Sequence, residues 1–205
     1  MSNTNNSLKG KINTNTIIGL GLLTAIVVVM QFISMGLRFG TFSITLTLIP
    51  IVVGSALYGW GSGAWLGFVF GVTVLLTGDA NLFLAVNIPG TIITVILKGA
   101  LAGAAAGFVY KLISKKNQIA VIVSAVVAPV VNTGIFVLGS YVFFFDYLSG
   151  LAEGTNLFVF ILVGLVGINF FIELGINLVL NPAILQIIRI GKKNFGGKNQ
   201  IIKTK

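Results

Sequence analysis

The chain has 205 residues, of which 56% are hydrophobic and only 8% charged, with a formal net charge of +9. A soluble domain carries roughly 25% charged residues, so lipid rather than water must be the solvent for most of this surface, and only helices or a closed barrel can span it. The sequence has no Cys and no His, which removes disulfides, thiol nucleophiles, imidazole bases and most transition-metal sites.

The apolar runs are continuous rather than alternating, which predicts helices. Residues 1–16 are polar and read as a cytoplasmic tail, not a signal peptide. The first apolar run covers 17–37 and breaks at Arg38-Phe39-Gly40. The second covers 42–58 and ends in Gly59-Trp60-Gly61-Ser62-Gly63. The third, 64–76, is short and stops at Thr77-Gly78-Asp79, and the apolar loop 80–88 follows. The fourth covers 89–112, the fifth 119–142 and the sixth 157–188, long enough to be tilted. Residues 189–205 form a basic tail. The expected fold is an all-α membrane protein in which 17–188 form a six-transmembrane-helix bundle that binds substrate, with both termini cytoplasmic.

Lys and Arg placement sets the orientation. With the N-terminus inside, Lys9, Lys11, Lys111, Lys115, Lys116, Arg189, Lys192, Lys193, Lys198, Lys203 and Lys205 lie inside, and Arg38 alone among basic residues lies in an outer loop. The positive charge is thus a topology signal and a contact for anionic lipid, and nucleic acid is not an expected partner. Trp60 and Trp65 read as interfacial anchors.

Small residues recur every four positions: Gly63, Gly67 and Gly71 in the third run, and Gly99, Gly103 and Gly107 in the fourth. Such stripes let helix backbones approach closely in lipid, and internal packing is the preferred reading here. Gly21 and Ala25 repeat the spacing in the first run, whose other faces are aliphatic and suit docking to another membrane protein.

Charges inside spans are costly and functional by default. Lys98 and Glu173 both lie well inside their runs. Asn169, Glu173, Asn177 and Asn181 recur every four residues and form one polar stripe. Depth counting at 1.5 Å per residue puts Lys98, Asn132 and Asn169 near one level in the outer half, with Glu173 about a turn deeper. These groups can therefore face one cavity. The plainer reading is a structural Lys98–Glu173 ion pair. Arg38, in the first outer loop, is a candidate to close over an anionic ligand.

Four segments together carry a family resemblance. They are 44–59 (from Ile44-Thr45-Leu46-Thr47-Leu48-Ile49-Pro50 to Gly59), 63–71 (Gly63-Ala64-Trp65-Leu66-Gly67 to Gly71), 90–99 (Gly90-Thr91 to Lys98-Gly99) and 167–173 (Gly167-Ile168-Asn169 to Glu173). With the six-span order they resemble the substrate-binding S-component of energy-coupling factor (ECF) vitamin transporters, nearest the pantothenate type. The resemblance implies high-affinity vitamin capture near the outer face, under the outer loops and between helices four to six. It also implies docking onto a transmembrane coupling protein and two ATPases through an Ala-xxx-Ala pattern on the first helix. Here Gly21, Ala25 and Val29 stand at that spacing, a departure from the pattern. No GxxxxGK[ST] phosphate loop is present, so ATP-driven import needs another polypeptide's ATPase.

A carboxylate ligand suits Lys98, with Asn132, Asn169 and Asn87 for hydroxyls and amides. A flat aromatic ligand such as riboflavin, or pyridoxine or a pyrimidine precursor, would use Phe83, Tyr141 and Phe144. The alternative function is a self-sufficient ion- or proton-coupled carrier using Lys98 and Glu173. Asp79, Asp146 and Glu153 sit in outer loops without clustering, so no enzyme is expected. No cofactor or metal is expected either, and the expected location is the plasma membrane.

Overall fold

The computed structural model describes residues 14–39, 42–43, 45–115 and 117–195. Lys9, Lys11, Lys116, Lys198, Lys203 and Lys205, and the side chain of Arg38, lie outside the described residues. The described elements are helical apart from one pair of two-residue strands. In chain order they are α1 (Thr14–Met35), β1 (Arg38–Phe39), β2 (Phe42–Ser43), α2 (Leu48–Tyr58), α3 (Trp60–Thr77), α4 (Asn81–Leu84), α5 (Ile88–Ile113) and α6 (Asn117–Phe143). Then come α7 (Phe145–Leu151), α8 (Leu157–Val159), a π-helical segment (Phe160–Leu165), α9 (Gly167–Val179) and α10 (Asn181–Phe195).

Among the described residues, α1, α3, α5 and α6 are long and apolar enough to cross a bilayer alone. The π-helical segment and its flanks form a fifth candidate with α9, bent by 47° at the break between them. The expected second span is shorter than read. Only Leu48–Tyr58, 11 residues, is helical, and at 1.5 Å per residue that reaches about 16 Å, half a hydrocarbon core. Phe42–Ser43 instead pairs antiparallel with Arg38–Phe39. Thr47, at φ −66° and ψ −20°, lies in a turn just before the helix and provides no side-chain cap for it. Pro50 lacks an N–H and fits only the first turn of a helix, which is where it sits. The sixth run is also not one helix: it breaks at Val166 and again at Leu180, and its end continues as α10 to Phe195, within the expected tail.

The joints are local. Gly59, at φ 96°, is the single residue between α2 and α3, and Gly78, at φ 80°, ends α3 in the left-handed region. Asn87 caps α5: its side chain accepts from the Gly90 N–H at 2.9 Å, with Pro89 in the first turn.

The small-residue stripes of α3 and α5 face each other. A Cβ on Gly67 would land on the Gly99 carbonyl oxygen, one on Gly63 on that of Gly103, and one on Gly71 would meet the Val95 oxygen at 2.8 Å. The two backbones thus touch along three turns, the close approach that replaces a hydrophobic drive between helices in lipid. Ser124 Oγ of α6 donates to the Ala106 carbonyl of α5 at 3.0 Å. α1 is held by Trp65 Nε1, which donates to Thr24 Oγ1 at 3.2 Å, so Trp65 is also an interhelix link. One apolar cluster gathers Val52, Val53 and Tyr110 with Ile184 and Ile188 of α10, and another gathers Phe83, Phe144, Leu148 and Ile161 at the other end.

Candidate functional site

A chamber lies in one half of the bundle. Its walls come from the C-terminal halves of α1, α3 and α6, the N-terminal half of α5, the π-helical segment and α9. Lys111 and Lys115 at the far end of α5, and Arg189, Lys192 and Lys193 on α10, mark the opposite end. The chamber's volume is about 80 Å³, counted over positions the centre of a water can take. One water needs roughly 10–15 Å³ on that measure.

The structure brings Lys98, Asn132, Asn169 and Glu173 together on this chamber. Helical depth counting applies directly to Lys98 and Asn132, which lie on unbroken stretches of α5 and α6, while Asn169 and Glu173 reach the chamber on α9 beyond the π-helical segment and its 47° bend. Asn87 does not line it; its amide caps α5 and donates to the Phe143 carbonyl at 3.4 Å. Of the three aromatic candidates, Phe83 and Phe144 line the chamber and are edge-to-face at 4.9 Å. Tyr141 is exposed and packs on Phe145.

Several lining residues come from outside the expected set. Gln31 of α1 is buried; it donates through Nε2 to Asp79 Oδ2 at 2.8 Å and accepts at Oε1 from Thr47 Oγ1 at 3.2 Å. Asp79 therefore belongs to the chamber rather than to a scattered set of loop acids. Thr91, Thr94, Thr133 and the rings of Phe70, Phe136 and Phe170 complete the lining. A buried Gln in an aliphatic run was a signal visible in the sequence.

The ion pair between Lys98 and Glu173, the plainer of the two readings, is not formed among the described residues. Glu173 Oε1 accepts the Thr45 backbone N–H at 3.0 Å, which fastens the segment after β2 to α9. Among the described residues the Lys98 ammonium has no hydrogen bond and no carboxylate partner; it lies 5.3 Å from the Phe136 ring centroid and 5.8 Å from that of Phe70. Thr94 Oγ1, Asn132 Oδ1 and Asn169 Oδ1 are buried with no hydrogen-bond partner among the described residues. Leaving such atoms unpaired costs about 1–3 kcal/mol each, so a chamber that keeps three of them is built to receive polar groups. The stripe continues deeper: Asn177 Nδ2 donates to the Glu173 carbonyl at 2.8 Å, while Asn177 Oδ1 and Asn181 Nδ2 have no partner among the described residues. Among the described residues no group of three or more acidic side chains stands where it could hold a metal.

The sequence matches the family model for the ECF transporter, substrate-specific component, over residues 15–185. A comparison with curated proteins gives no match. Among solved structures, that of ThiT from Listeria monocytogenes is similar with a TM-score of 0.62 and 22% identity, covering 87% of this chain and 95% of that one. At that identity the likeness is one of fold. Residues 15–185 take in every residue that lines the chamber, and the chain belongs to the ECF transporter substrate-specific component family, whose members are substrate-binding transporter subunits and not enzymes.

Proposed function

We propose that this chain captures pantothenate, or a close carboxylate relative, at the outer face of the plasma membrane and delivers it to an ECF module for ATP-driven import. The observation that carries the ligand class is the chamber's unspent polarity. Lys98, whose ammonium has no carboxylate hydrogen-bonded to it among the described residues, lines the same chamber as Thr94, Asn132 and Asn169, each with a buried side-chain oxygen left unpaired there. A carboxylate would pair with Lys98, and hydroxyl and amide donors would satisfy Asn132, Asn169 and Thr94. A cationic ligand would sit beside that ammonium at a Coulombic penalty, which the hydrogen-bonded carboxylates of Asp79 and Glu173 on the same chamber would offset in part. Glu173 acts by fixing the segment over the chamber rather than by touching ligand. The chamber's volume suits a few waters, so a vitamin must push its walls apart on binding.

The orientation follows from charge. The chamber lies at the end away from Lys111, Lys115, Arg189, Lys192 and Lys193, so an inside position for those residues makes it open outward. The remaining span in a six-pass path is α2 with the segment before it. Docking to the coupling protein uses α1, where Gly21, Ala25 and Val29 are all exposed and a Cβ on Gly21 would meet nothing within 4 Å. The partners are then one transmembrane coupling protein and two ATPases.

The test is equilibrium binding of detergent-purified protein against pantothenate, thiamine, riboflavin and pyridoxine. Pantothenate is expected to bind below micromolar and the others far more weakly. A cation as the tightest ligand, or no ligand below micromolar, contradicts the proposal.

A further inference from the structure

We infer that Phe70 and Phe136 are positioning residues that keep the Lys98 ammonium available to an anion and thereby set selectivity for a carboxylate over its neutral amide. The selectivity part rests on the anionic-ligand reading above.

Lys98, Asp79 and Glu173 line one chamber. In a site poor in water, opposite charges collapse onto each other unless something else holds them. A lysine locked to a carboxylate offers little field to an incoming anion. Here each acid accepts a hydrogen bond from an uncharged donor, Glu173 from the Thr45 N–H at 3.0 Å and Asp79 from Gln31 Nε2 at 2.8 Å, and acts on the ammonium through space rather than by direct contact. The cation rests instead on two ring faces, at 5.3 and 5.8 Å. A ring face attracts an ammonium within about 6 Å, yet it carries no net charge, so it holds the cation without cancelling it. Phe70 comes from α3 and Phe136 from α6, on either side of α5. The small-residue contact serves the same end: a Cβ on Gly99, next to Lys98, would meet Phe70 Cδ1 at 3.0 Å.

Two readouts test this. The first uses protein without added ligand, labelled with ¹³C at the lysine ε-carbons and assigned by loss of a signal in Lys98→Met. Ring currents should shift the Lys98 ε-CH₂ protons upfield, and Phe136→Leu or Phe70→Leu should return them toward ordinary lysine values. The second compares affinity for pantothenate with affinity for its primary carboxamide. Either Leu variant should lose roughly tenfold of that discrimination, and Phe136→Tyr, which keeps the ring face, should retain it. If a Leu variant fails to fold, fluorinated phenylalanine at position 136 weakens the ring face at nearly constant shape and should give the same loss. An ordinary ε-CH₂ shift in the unsubstituted protein, or unchanged discrimination in both Leu variants, overturns the inference. If the protein binds neither probe, the proposed ligand class fails, and the ring-current readout still decides whether the rings hold Lys98.

Discussion

Adding one methyl group at Gly67 should loosen the whole chamber. A Cβ there would fall on the Gly99 carbonyl oxygen, with the Ala100 nitrogen at 3.0 Å. These are backbone atoms in the middle of α5, so no rotamer change relieves the clash. The two helices must part by roughly 1 Å, which puts the cost toward the upper end of the ~1–3 kcal/mol of ordinary overpacking. For a chain of this length each kcal/mol moves the melting point by about 2–4 °C, so Gly67→Ala should melt ~4–12 °C lower. Parting α3 from α5 also carries Phe70 away from Lys98, so ligand affinity should fall with stability. The control is Gly21→Ala on α1, where the added Cβ meets nothing within 4 Å. In a helix interior that change is neutral or stabilising by about 0.5–1 kcal/mol. Thermal melts followed by intrinsic fluorescence in one detergent compare the two directly. Equal melting points for Gly67→Ala and Gly21→Ala would refute the close packing of α3 on α5.

Asn87→Ala should lose a helix cap worth about 1 kcal/mol, seen as a lower melting point, with ligand affinity nearly intact because the cap lies off the chamber. Glu173→Gln keeps an oxygen for the Thr45 N–H and should preserve its slow hydrogen exchange, whereas Glu173→Leu should speed it markedly. Gly21→Leu should leave ligand binding unchanged and weaken co-purification with the coupling protein and ATPases; unimpaired assembly would remove α1 as the docking face.

What the sequence revealed, and what it hid, follows from regularity. Lys98 and Asn132 could be grouped because each lies on an unbroken helix whose rise per residue converts position into depth, and Asn169 and Glu173 share one face of α9 by their four-residue spacing. The stripes at Gly63, Gly67 and Gly71 and at Gly99 and Gly103 were legible as packing surfaces because small residues at that spacing have few other uses in lipid. Gln31 was visible as a polar residue in an aliphatic run, yet nothing in spacing says that α1 leans over the site. Asp79 and Thr45 enter through turns, where chain direction is set by Gly78 and by the hairpin rather than by periodicity. The bend at Val166 directly follows the apolar stretch Phe160–Leu165, which reads equally well as straight helix. The identity of Glu173's partner was hidden for a related reason: a backbone N–H from a loop leaves no signature in side-chain chemistry, so the lysine looked like the natural choice.

The central claim is that the Lys98 ammonium meets a carboxylate on the ligand. The most direct measurement is the pantothenate Kd of the unsubstituted protein beside that of Lys98→Met, with folding checked by thermal melt. Losing a buried, charge-assisted contact costs about 2–5 kcal/mol, at least a thirtyfold weakening, and the carboxamide should lose far less. Equal pantothenate affinity in the two proteins would contradict the account.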